Sequence, residues 1–361
     1  MSSIAPSSSA SSGSVSSGSV SSGPASSGLA SSSSVSPGPV SSSSIPSSSI
    51  SSSPGPIRRV AIIGAGTIGA SWAALFLAHG LEVVVSDPGP HAQAQTLARV
   101  QAAWPVLAEL GHMRPGATAE ALRFDPDLQT ALAGVDFVQE NAPEREDFKT
   151  DLFARIDAIL PPHVIVASSS SGLIMSRLQS RCRHPQRFVI GHPFNPPHLI
   201  PLVEVVGGDQ TSADTMDRAI DFYRSMGKHP IRLNKEVPGH IANRLQAALW
   251  REAIHLAAEN VASVADIDAA VSQGPGLRWA LFGPHMTFNL GGGEGGLAHF
   301  MHHLLGPVQT WWDDLGTPEV TPALQQRLIE GVNAEAGHQS IADLVEARDA
   351  QLTALIKVLH R

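Results

Sequence analysis

Residues 59–87, RVAIIGAGTIGASWAALFLAHGLEVVVSD, decide the fold of this 361-residue chain. The run Arg59–Ile63 is short and rich in β-branched residues, which is typical of a buried parallel strand. The pattern GAGTIG follows at 64–69, then a stretch of good helix formers at 70–78, and then a second strand-like run that ends in Asp87. A strand, a GxGxxG turn, a helix, a strand and an acid in this order predict the first unit of a dinucleotide-binding sheet.

The residues of the turn have separate physical tasks in such a unit. Gly64 permits the tight turn, Gly66 lets a pyrophosphate approach the backbone, and Gly69 lets the helix and the strand pack closely. Thr67 and Ile68 complete the turn before the helix, whose free N–H groups and positive dipole end favour a phosphate group. The turn is therefore predicted to bind the diphosphate of a dinucleotide.

The acid at the end of the second strand discriminates between the two common dinucleotides. Asp87 is placed to accept hydrogen bonds from both ribose hydroxyls and to repel a 2′-phosphate. No arginine follows it closely in the chain, so the sequence predicts NAD rather than NADP as the cofactor. A glycine-rich turn without a ligand is the alternative, which the surrounding strands and the acid disfavour.

Strand-like and helical stretches continue to alternate after Asp87. They are a helix at Ala92–Leu110, a strand at Val135–Glu140, a helix at Phe148–Leu160, a strand at Val164–Ala167 and a strand at Arg187–Gly191. This alternation predicts a parallel sheet with helices on both faces. Ligands in such sheets bind beyond the carboxyl ends of the strands. Residues 140–144, Ser171 and His192 all fall at such ends, which makes them candidates for function.

Beyond Val237-Pro238-Gly239 the pattern is helical to the end of the chain. The predicted fold class is α/β: an N-terminal Rossmann-type doubly wound sheet followed by an all-helical C-terminal domain. We expect a disordered serine-rich tail at 1–56, a NAD-binding domain at 57–236, and a helical substrate and dimerisation domain at 237–361.

The first 56 residues are mostly serine, with a five-residue SSGxx period at 11–30, and no charged residue precedes Arg58. Such a segment cannot bury enough apolar surface to offset its ordering entropy, so we expect it to be disordered. It also lacks the basic start and continuous apolar core of a secretory signal.

Charge, cysteine content and hydropathy exclude several classes of protein. The net charge of −8 and the absence of a basic run argue against nucleic acid as a partner. The single cysteine, Cys182, excludes an intrachain disulfide and fits a reducing compartment. The uncharged stretch 60–81 is split by its glycines into a strand and a helix, so it is not a membrane span. We predict a soluble, cytoplasmic protein without a membrane partner.

The chain resembles the 3-hydroxyacyl-CoA dehydrogenase superfamily over about residues 57–361. The resemblance rests on VAIIGAGTIGAS, ENAPEREDFKTDLF, ASSSSGL, GHPFNPPHLIPLVEVVGG and VPGHIANRLQAALWREA, which occur in the order and spacing of the family. SSSSGLIMSRLQ, HPFNPP and GPGLRWALFGP are similar to the branch that contains L-gulonate 3-dehydrogenase (λ-crystallin) and L-carnitine dehydrogenase.

The resemblance implies an assignment for four catalytic positions. The catalytic histidine of the family falls on His192 and its glutamate partner on Glu204, while the substrate-contacting serine and asparagine fall on Ser171 and Asn243. The chemistry fits, because an imidazole that titrates near neutrality suits the transfer of a hydroxyl proton. A carboxylate on the far ring nitrogen would orient the imidazole and stabilise its charged form.

The resemblance also implies cofactor contacts at Glu144 and Lys149, and a homodimer formed through the helical domain. One position departs from the family. Acyl-CoA enzymes usually carry two aromatic residues after the histidine, whereas Pro193 stands before Phe194 here. This departure favours a small free acid over an acyl-CoA thioester.

The leading hypothesis is therefore a NAD-dependent dehydrogenase that converts an L-3-hydroxy acid, such as carnitine or gulonate, to its 3-keto product. A 3-hydroxyacyl-CoA dehydrogenase is one alternative, and a non-catalytic NAD-binding structural protein is another. Arg278 would suit a substrate carboxylate, and an aromatic set would suit a quaternary ammonium: Trp279, Phe282, Phe288, Trp311 and Trp312. Metal binding by His299, His302 and His303 is not expected, because no nearby acid completes a site.

Overall fold

The computed structural model describes residues 55–359, so nearly all of the predicted disordered tail lies outside the described residues. Eight strands form one sheet: β1 (Arg59–Ile63), β2 (Glu82–Ser86), β3 (Arg123–Phe124), β4 (Phe137–Glu140), β5 (Ile165–Ser168), β6 (Phe188–Pro193), β7 (Leu202–Gly207) and β8 (His229–Arg232). Their order across the sheet is β3-β2-β1-β4-β5-β6-β7-β8. Neighbouring strands run parallel except β6 and β7, which are antiparallel.

Helices alternate with the strands and then continue alone after β8. The first six are α1 (Thr67–Ala78), α2 (Ala92–Glu109), α3 (Leu128–Ala131), α4 (Glu146–Ile159), α5 (Met175–Leu178) and α6 (Ala213–Ser225). The later ones are α7 (Ala242–Ala258), α8 (Val264–Ser272), α9 (Pro275–Trp279), α10 (Pro284–Gly291), α11 (Gly296–His303), α12 (Leu305–Asp314), α13 (Pro322–Ala336) and α14 (Ile341–Leu359). The predicted change from alternating to helical structure is confirmed over the described residues.

The core lies on both faces of the sheet, because successive strand residues point in opposite directions. Ile62 of β1 packs on one face in a cluster with Trp72 of α1, and both side chains are fully buried. The next residue, Ile63, packs on the other face in a cluster with Phe153 of α4. A strand buried on both faces explains the continuous apolar run in the sequence and confirms the doubly wound architecture.

Strand β6 differs from its predicted bounds in a way that matters for the site. The sequence predicts a strand from Arg187 to Gly191, whereas β6 runs from Phe188 through Pro193. At its start, Arg187 is buried and forms an ion pair with Asp157, with an Nη2–Oδ1 distance of 2.5 Å. At its end, β6 is longer because the antiparallel strand β7 continues the ladder and pairs His192 directly with Glu204.

The uncharged stretch at 60–81 is divided between β1 and α1, as the glycines predict. Between residues 55 and 359, the chain has no helix that is both long enough and apolar enough to cross a membrane.

Candidate active site

A cavity of about 610 Å³ lies where β4, β5 and β6 end. Its lining residues are Ile68, Asn141, Ala142, Glu144, Lys149, Ser169, Ser171, His192, Pro193, Phe194, Asn195, Asn243 and Gln246. Three of the four predicted catalytic residues are among them: Ser171, His192 and Asn243. The fourth, Glu204, is fully buried behind His192.

His192 and Glu204 form a buried hydrogen-bonded pair. The Nδ1 atom of His192 lies 2.8 Å from Oε2 of Glu204. The other carboxylate oxygen, Oε1, accepts from the backbone N–H groups of Ile241 (2.8 Å) and Ala242 (3.0 Å) at the start of α7. Both oxygens of Glu204 are therefore held, one by the imidazole and one by the first backbone amides of the helical region.

The protonation of this pair follows from its partners. Burial acts to raise the pKa of Glu204, but the hydrogen bonds from His192, Ala242 and Ile241 outweigh it, and the pKa is lowered. An ionised carboxylate can only accept, so Nδ1 of His192 carries the proton of the shared bond. In the neutral ring, Nε2 then keeps its lone pair and can accept a proton.

Glu144 organises the turn after β5. Its Oε1 accepts from Ser170 Oγ (2.6 Å), from Ser171 N (2.8 Å) and Oγ (3.3 Å), and from Gly172 N (3.0 Å). Burial acts to raise the pKa of Glu144, but the Ser170 hydrogen bond and the charge of Lys149 lower it overall. This acid therefore holds the serine turn in place, and its Oε2 lies 3.7 Å from Nζ of Lys149.

Asn243 extends this arrangement from the helical region. Its Nδ2 donates to the backbone carbonyl of Ser171 at 3.0 Å. Ser171 and Asn243, which are far apart in the chain, are thus brought together beside His192 on the wall of one cavity.

Glu140, one of the candidates at the strand ends, is fully buried and paired with a residue of the cavity wall. Lys149 Nζ donates to both oxygens of Glu140, at 2.7 and 2.9 Å, and neither side chain is more than 1% exposed. Glu140 also accepts from Ala142 N (2.5 Å) and Ser168 Oγ (2.5 Å). An acid at the end of a predicted sheet strand was the available signal, because an acid that is buried there needs a partner.

The glycine turn has the shape that a dinucleotide requires. A Cβ atom on Gly66 would meet no atom within 4 Å, whereas one on Gly69 would lie 2.0 Å from the carbonyl oxygen of Gly64. Gly64 itself adopts φ +95°, which disfavours any side chain. No side chain caps the start of α1, so its first N–H groups could hold a phosphate.

Asp87 is tied to this turn. Its Oδ2 accepts from Ala65 N at 2.8 Å, and its Oδ1 accepts from Gly89 N at 2.7 Å. Each oxygen keeps a second lone pair for a ribose hydroxyl. Asp87 also lines a second cavity, of about 570 Å³, together with His91 and Phe124.

The residues predicted to bind a substrate carboxylate or ammonium lie outside the cavity that holds His192. Arg278 and the predicted aromatic set do not line the 610 Å³ cavity, where the phenyl ring is instead that of Phe194. Phe194 lies edge-on to His192, with 5.6 Å between ring centroids. Asn195 and Gln246 line the cavity too and were missed, since an amide in a loop or helix carries no distinctive pattern. Over residues 55–359, no three histidine, cysteine or acidic side chains are placed to hold a metal ion.

Comparisons with known proteins agree with this architecture. Residues 59–237 match the sequence profile of the 3-hydroxyacyl-CoA dehydrogenase NAD-binding domain, and residues 239–318 match that of the 3-hydroxyacyl-CoA dehydrogenase C-terminal domain. Among solved structures, the NAD⁺-dependent dismutase 5-formyl-3-hydroxy-2-methylpyridine 4-carboxylic acid 5-dehydrogenase superposes with a TM-score of 0.73 at 32% identity. The match covers 84% of this chain and 99% of that one.

Curated relatives cover most of the chain. The L-carnitine dehydrogenase of Streptomyces coelicolor is 48% identical over 86% of this chain and 97% of its own length. The L-carnitine dehydrogenase of Pseudomonas aeruginosa is 47% identical over 84% of this chain and 94% of its own length. This chain therefore belongs to the 3-hydroxyacyl-CoA dehydrogenase family of NAD-dependent oxidoreductases.

Proposed function

We propose that the protein oxidises a small free L-3-hydroxy acid, L-carnitine first among them, to its 3-keto product. The observation that carries the proposal is the buried His192–Glu204 pair on the wall of a cavity within a NAD-binding fold. His192 is the base, and Glu204 is the acid that orients it.

The geometry of the His192–Glu204 pair determines which ring nitrogen accepts the substrate proton. The substrate hydroxyl gives its proton to Nε2 of His192, because Nδ1 is already committed to Glu204. The imidazolium that forms is stabilised by the adjacent carboxylate, in the role that an acid plays in other histidine-based sites. NAD⁺, when bound, supplies the hydride acceptor. In the reverse reaction, protonated His192 returns the proton to the substrate oxygen.

Ser171 and Asn243 stabilise the developing alkoxide. Both line the cavity beside His192, and both carry polar hydrogens that donate within the protein, to Glu144 and to the Ser171 carbonyl. We infer that substrate binding redirects at least one of these donors to the reacting oxygen. Such donors contribute most where charge develops in the transition state.

The cofactor assignment follows the same reasoning. We propose that the diphosphate lies at the turn Gly64–Gly69, against the backbone of Thr67 and Ile68, and that the adenosine ribose bonds Asp87. Ile68, Glu144 and Lys149 line the cavity that holds His192, which supports the proposal that they contact the nicotinamide end.

The substrate class rests on the relatives and on the cavity. Proteins named L-carnitine dehydrogenase are up to 48% identical to this chain over nearly their whole length. Carnitine carries a quaternary ammonium, and the phenyl ring of Phe194 beside His192 offers it a cation–π surface. An acyl-CoA thioester remains the second candidate because family members of solved structure include a 3-hydroxybutyryl-CoA dehydrogenase of Escherichia coli, 30% identical over 65% of this chain.

We also propose that the protein works as a homodimer through its helical region. Large apolar side chains there are exposed in the single chain, among them Trp250 (66%), Trp311 (65%) and Leu281 (62%). Monomers rarely expose apolar surface on this scale, so a second copy is expected to cover it. Sedimentation velocity should give twice the chain mass, and a monomer at micromolar concentration would contradict the proposal. A cytoplasmic location stays a prediction.

The function is tested by following NADH formation with L-carnitine, L-gulonate, L-3-hydroxybutyrate and 3-hydroxybutyryl-CoA as substrates. We expect the highest kcat/KM with L-carnitine. A higher value with the thioester would favour the acyl-CoA alternative. Measurable NAD binding without turnover of any of these compounds would favour a non-catalytic protein.

A further inference from the structure

A second histidine is buried against the pair, on the segment that joins the two parts of the fold. His240 follows the left-handed Gly239 and itself adopts φ 51°, an uncommon conformation for a residue with a side chain. Its side chain is 2% exposed, and its ring centroid lies 5.3 Å from that of His192. A strained backbone therefore places this imidazole beside the proposed base.

The tautomer of His240 can be assigned from its partner. Nε2 lies 3.1 Å from the carbonyl oxygen of Ser170. A carbonyl only accepts, so Nε2 carries a proton. Nδ1 is buried and has no hydrogen-bond partner within residues 55–359. A second proton on Nδ1 would therefore lack an acceptor, and the ring is neutral with its lone pair on Nδ1.

The segment of His240 also supports the partner of the base. The two residues that follow it, Ile241 and Ala242, donate their backbone N–H groups to Oε1 of Glu204. At the other end, the carbonyl that His240 binds belongs to Ser170, whose hydroxyl donates to Glu144. One short segment thus links the serine turn, the acid and the imidazole of the site.

We propose that His240 is a positioning residue, a second and uncharged imidazole that holds His192 in its orientation toward Glu204 from the side of the Ser170 turn. The proposal rests on the function proposed above for His192. It adds that the site works only while His240 is neutral, because an imidazolium there would repel the imidazolium that forms on His192.

The groups around His240 determine the pH range in which its ring takes up a proton. Burial lowers the pKa of His240 most strongly; the Ser170 hydrogen bond opposes that, and the nearby charge of His192 lowers it further. Glu204 and Glu144 face the ring from other elements and act to raise the pKa. The pKa of His240 is nevertheless lowered from its ordinary value of 6.5. His240 therefore stays neutral at neutral pH and takes up a proton only in acid.

Two variants separate the hydrogen bond from the charge. His240→Gln keeps an N–H donor near the position of Nε2 but cannot take up a proton, whereas His240→Phe keeps a ring and loses the donor. With L-carnitine at neutral pH, we expect His240→Gln to keep kcat within about threefold and His240→Phe to lose about tenfold, with unchanged NAD affinity.

The acid limb of the pH profile is the decisive readout, because a merely structural residue would not change its slope. In the wild type, log(kcat/KM) should fall more steeply in acid than it does in His240→Gln, because proton uptake by His240 adds a loss of activity that glutamine cannot produce. Identical kcat values and identical acid limbs in all three proteins would overturn the proposal.

A second measurement does not depend on turnover or on the His240→Phe variant folding. Nitrogen-15 histidine spectra of the whole protein report the tautomer of each ring, and the His240 signals are those lost in His240→Gln. The expected result is a neutral ring protonated on Nε2 at neutral pH. A ring protonated on Nδ1, or on both nitrogens, would overturn the inference about His240, whereas failure of every 3-hydroxy acid to react would overturn only the proposed function.

Discussion

His192 and Glu204 lie directly opposite each other on the antiparallel strands β6 and β7, with Nδ1 of the imidazole 2.8 Å from Oε2 of the carboxylate. Directly paired residues point to the same face of a sheet, so strand pairing alone brings the two side chains together. The proline-rich loop between the strands closes the hairpin. The sheet therefore contributes part of the rigidity that a proton-transferring pair needs, and the backbone amides of Ile241 and Ala242 hold the carboxylate from the helical region.

Replacing the acid of the pair by its amide should impair catalysis without impairing cofactor binding. In Glu204→Gln, the side chain cannot stabilise an imidazolium on His192, so we expect kcat/KM to fall at least about 100-fold. Isothermal titration should give an unchanged NAD affinity. Glu146→Gln, which removes a partly exposed acid from α4, is the matched control and should retain wild-type activity. Activity of Glu204→Gln within threefold of the wild type would contradict the assigned role.

Replacement by alanine should have different effects at two glycines of the same turn, reducing stability at Gly69 and NAD affinity at Gly66. In Gly69→Ala the new methyl group would lie 2.0 Å from the Gly64 carbonyl oxygen, so we expect destabilisation by about 2 kcal/mol or more. In Gly66→Ala nothing lies within 4 Å, so thermal unfolding should be unchanged while NAD affinity falls about tenfold or more. Equal NAD affinity for Gly66→Ala and the wild type would show that the diphosphate lies elsewhere.

Phe194 should matter only for a cationic substrate. In Phe194→Leu the cavity keeps an apolar side chain but loses the aromatic face, and a cation–π contact contributes about 1 kcal/mol. We expect kcat/KM for L-carnitine to fall about fivefold, while that for L-3-hydroxybutyrate, which lacks the ammonium, changes less than twofold. Equal losses for both substrates would mean that the ring supports the site without recognising the ammonium.

The fold should lose stability in mild acid through buried neutral histidines. Burial lowers the pKa of His198 to about 4, and its Nδ1 lies 2.8 Å from Ser71 Oγ. The unfolded chain takes up this proton near pH 6.5, so folding free energy is lost as the pH falls from about 6.5 toward 4.

His198→Asn keeps a polar group near Ser71 but cannot be charged, so it isolates this contribution. Between pH 7 and pH 4.5, urea unfolding of the wild type should lose on the order of 2 kcal/mol more than unfolding of the variant. Parallel curves of stability against pH for the two proteins would show that His198 is not held neutral.

The sequence predicts the sheet well because its signals are local. The β-branched run before Gly64, the glycines and Asp87 lie within one short segment, and each has a physical task that does not depend on the rest of the chain. The helical region could be predicted equally well, since its apolar residues recur with helical spacing. The domain boundaries at 56 and 236 stay predictions.

The details of the site depend on contacts between distant segments, which a single sequence does not specify. The resemblance points to His192 and Glu204, but their direct pairing required the register of β6 and β7. The buried partner of Lys149, Glu140, and the position of His240 against His192 follow from the way separate elements pack. The aromatic residues predicted to bind an ammonium lie outside the cavity, because residue type alone does not specify position.

The imidazole of His192 transfers the substrate proton in the proposed reaction, and replacing it by an amide removes this group. NADH formation from L-carnitine is measured for the wild type and for His192→Gln, with NAD affinity determined for both. We expect kcat to fall about 1,000-fold while NAD affinity is unchanged. A His192→Gln protein that oxidises L-carnitine at close to the wild-type rate would contradict it.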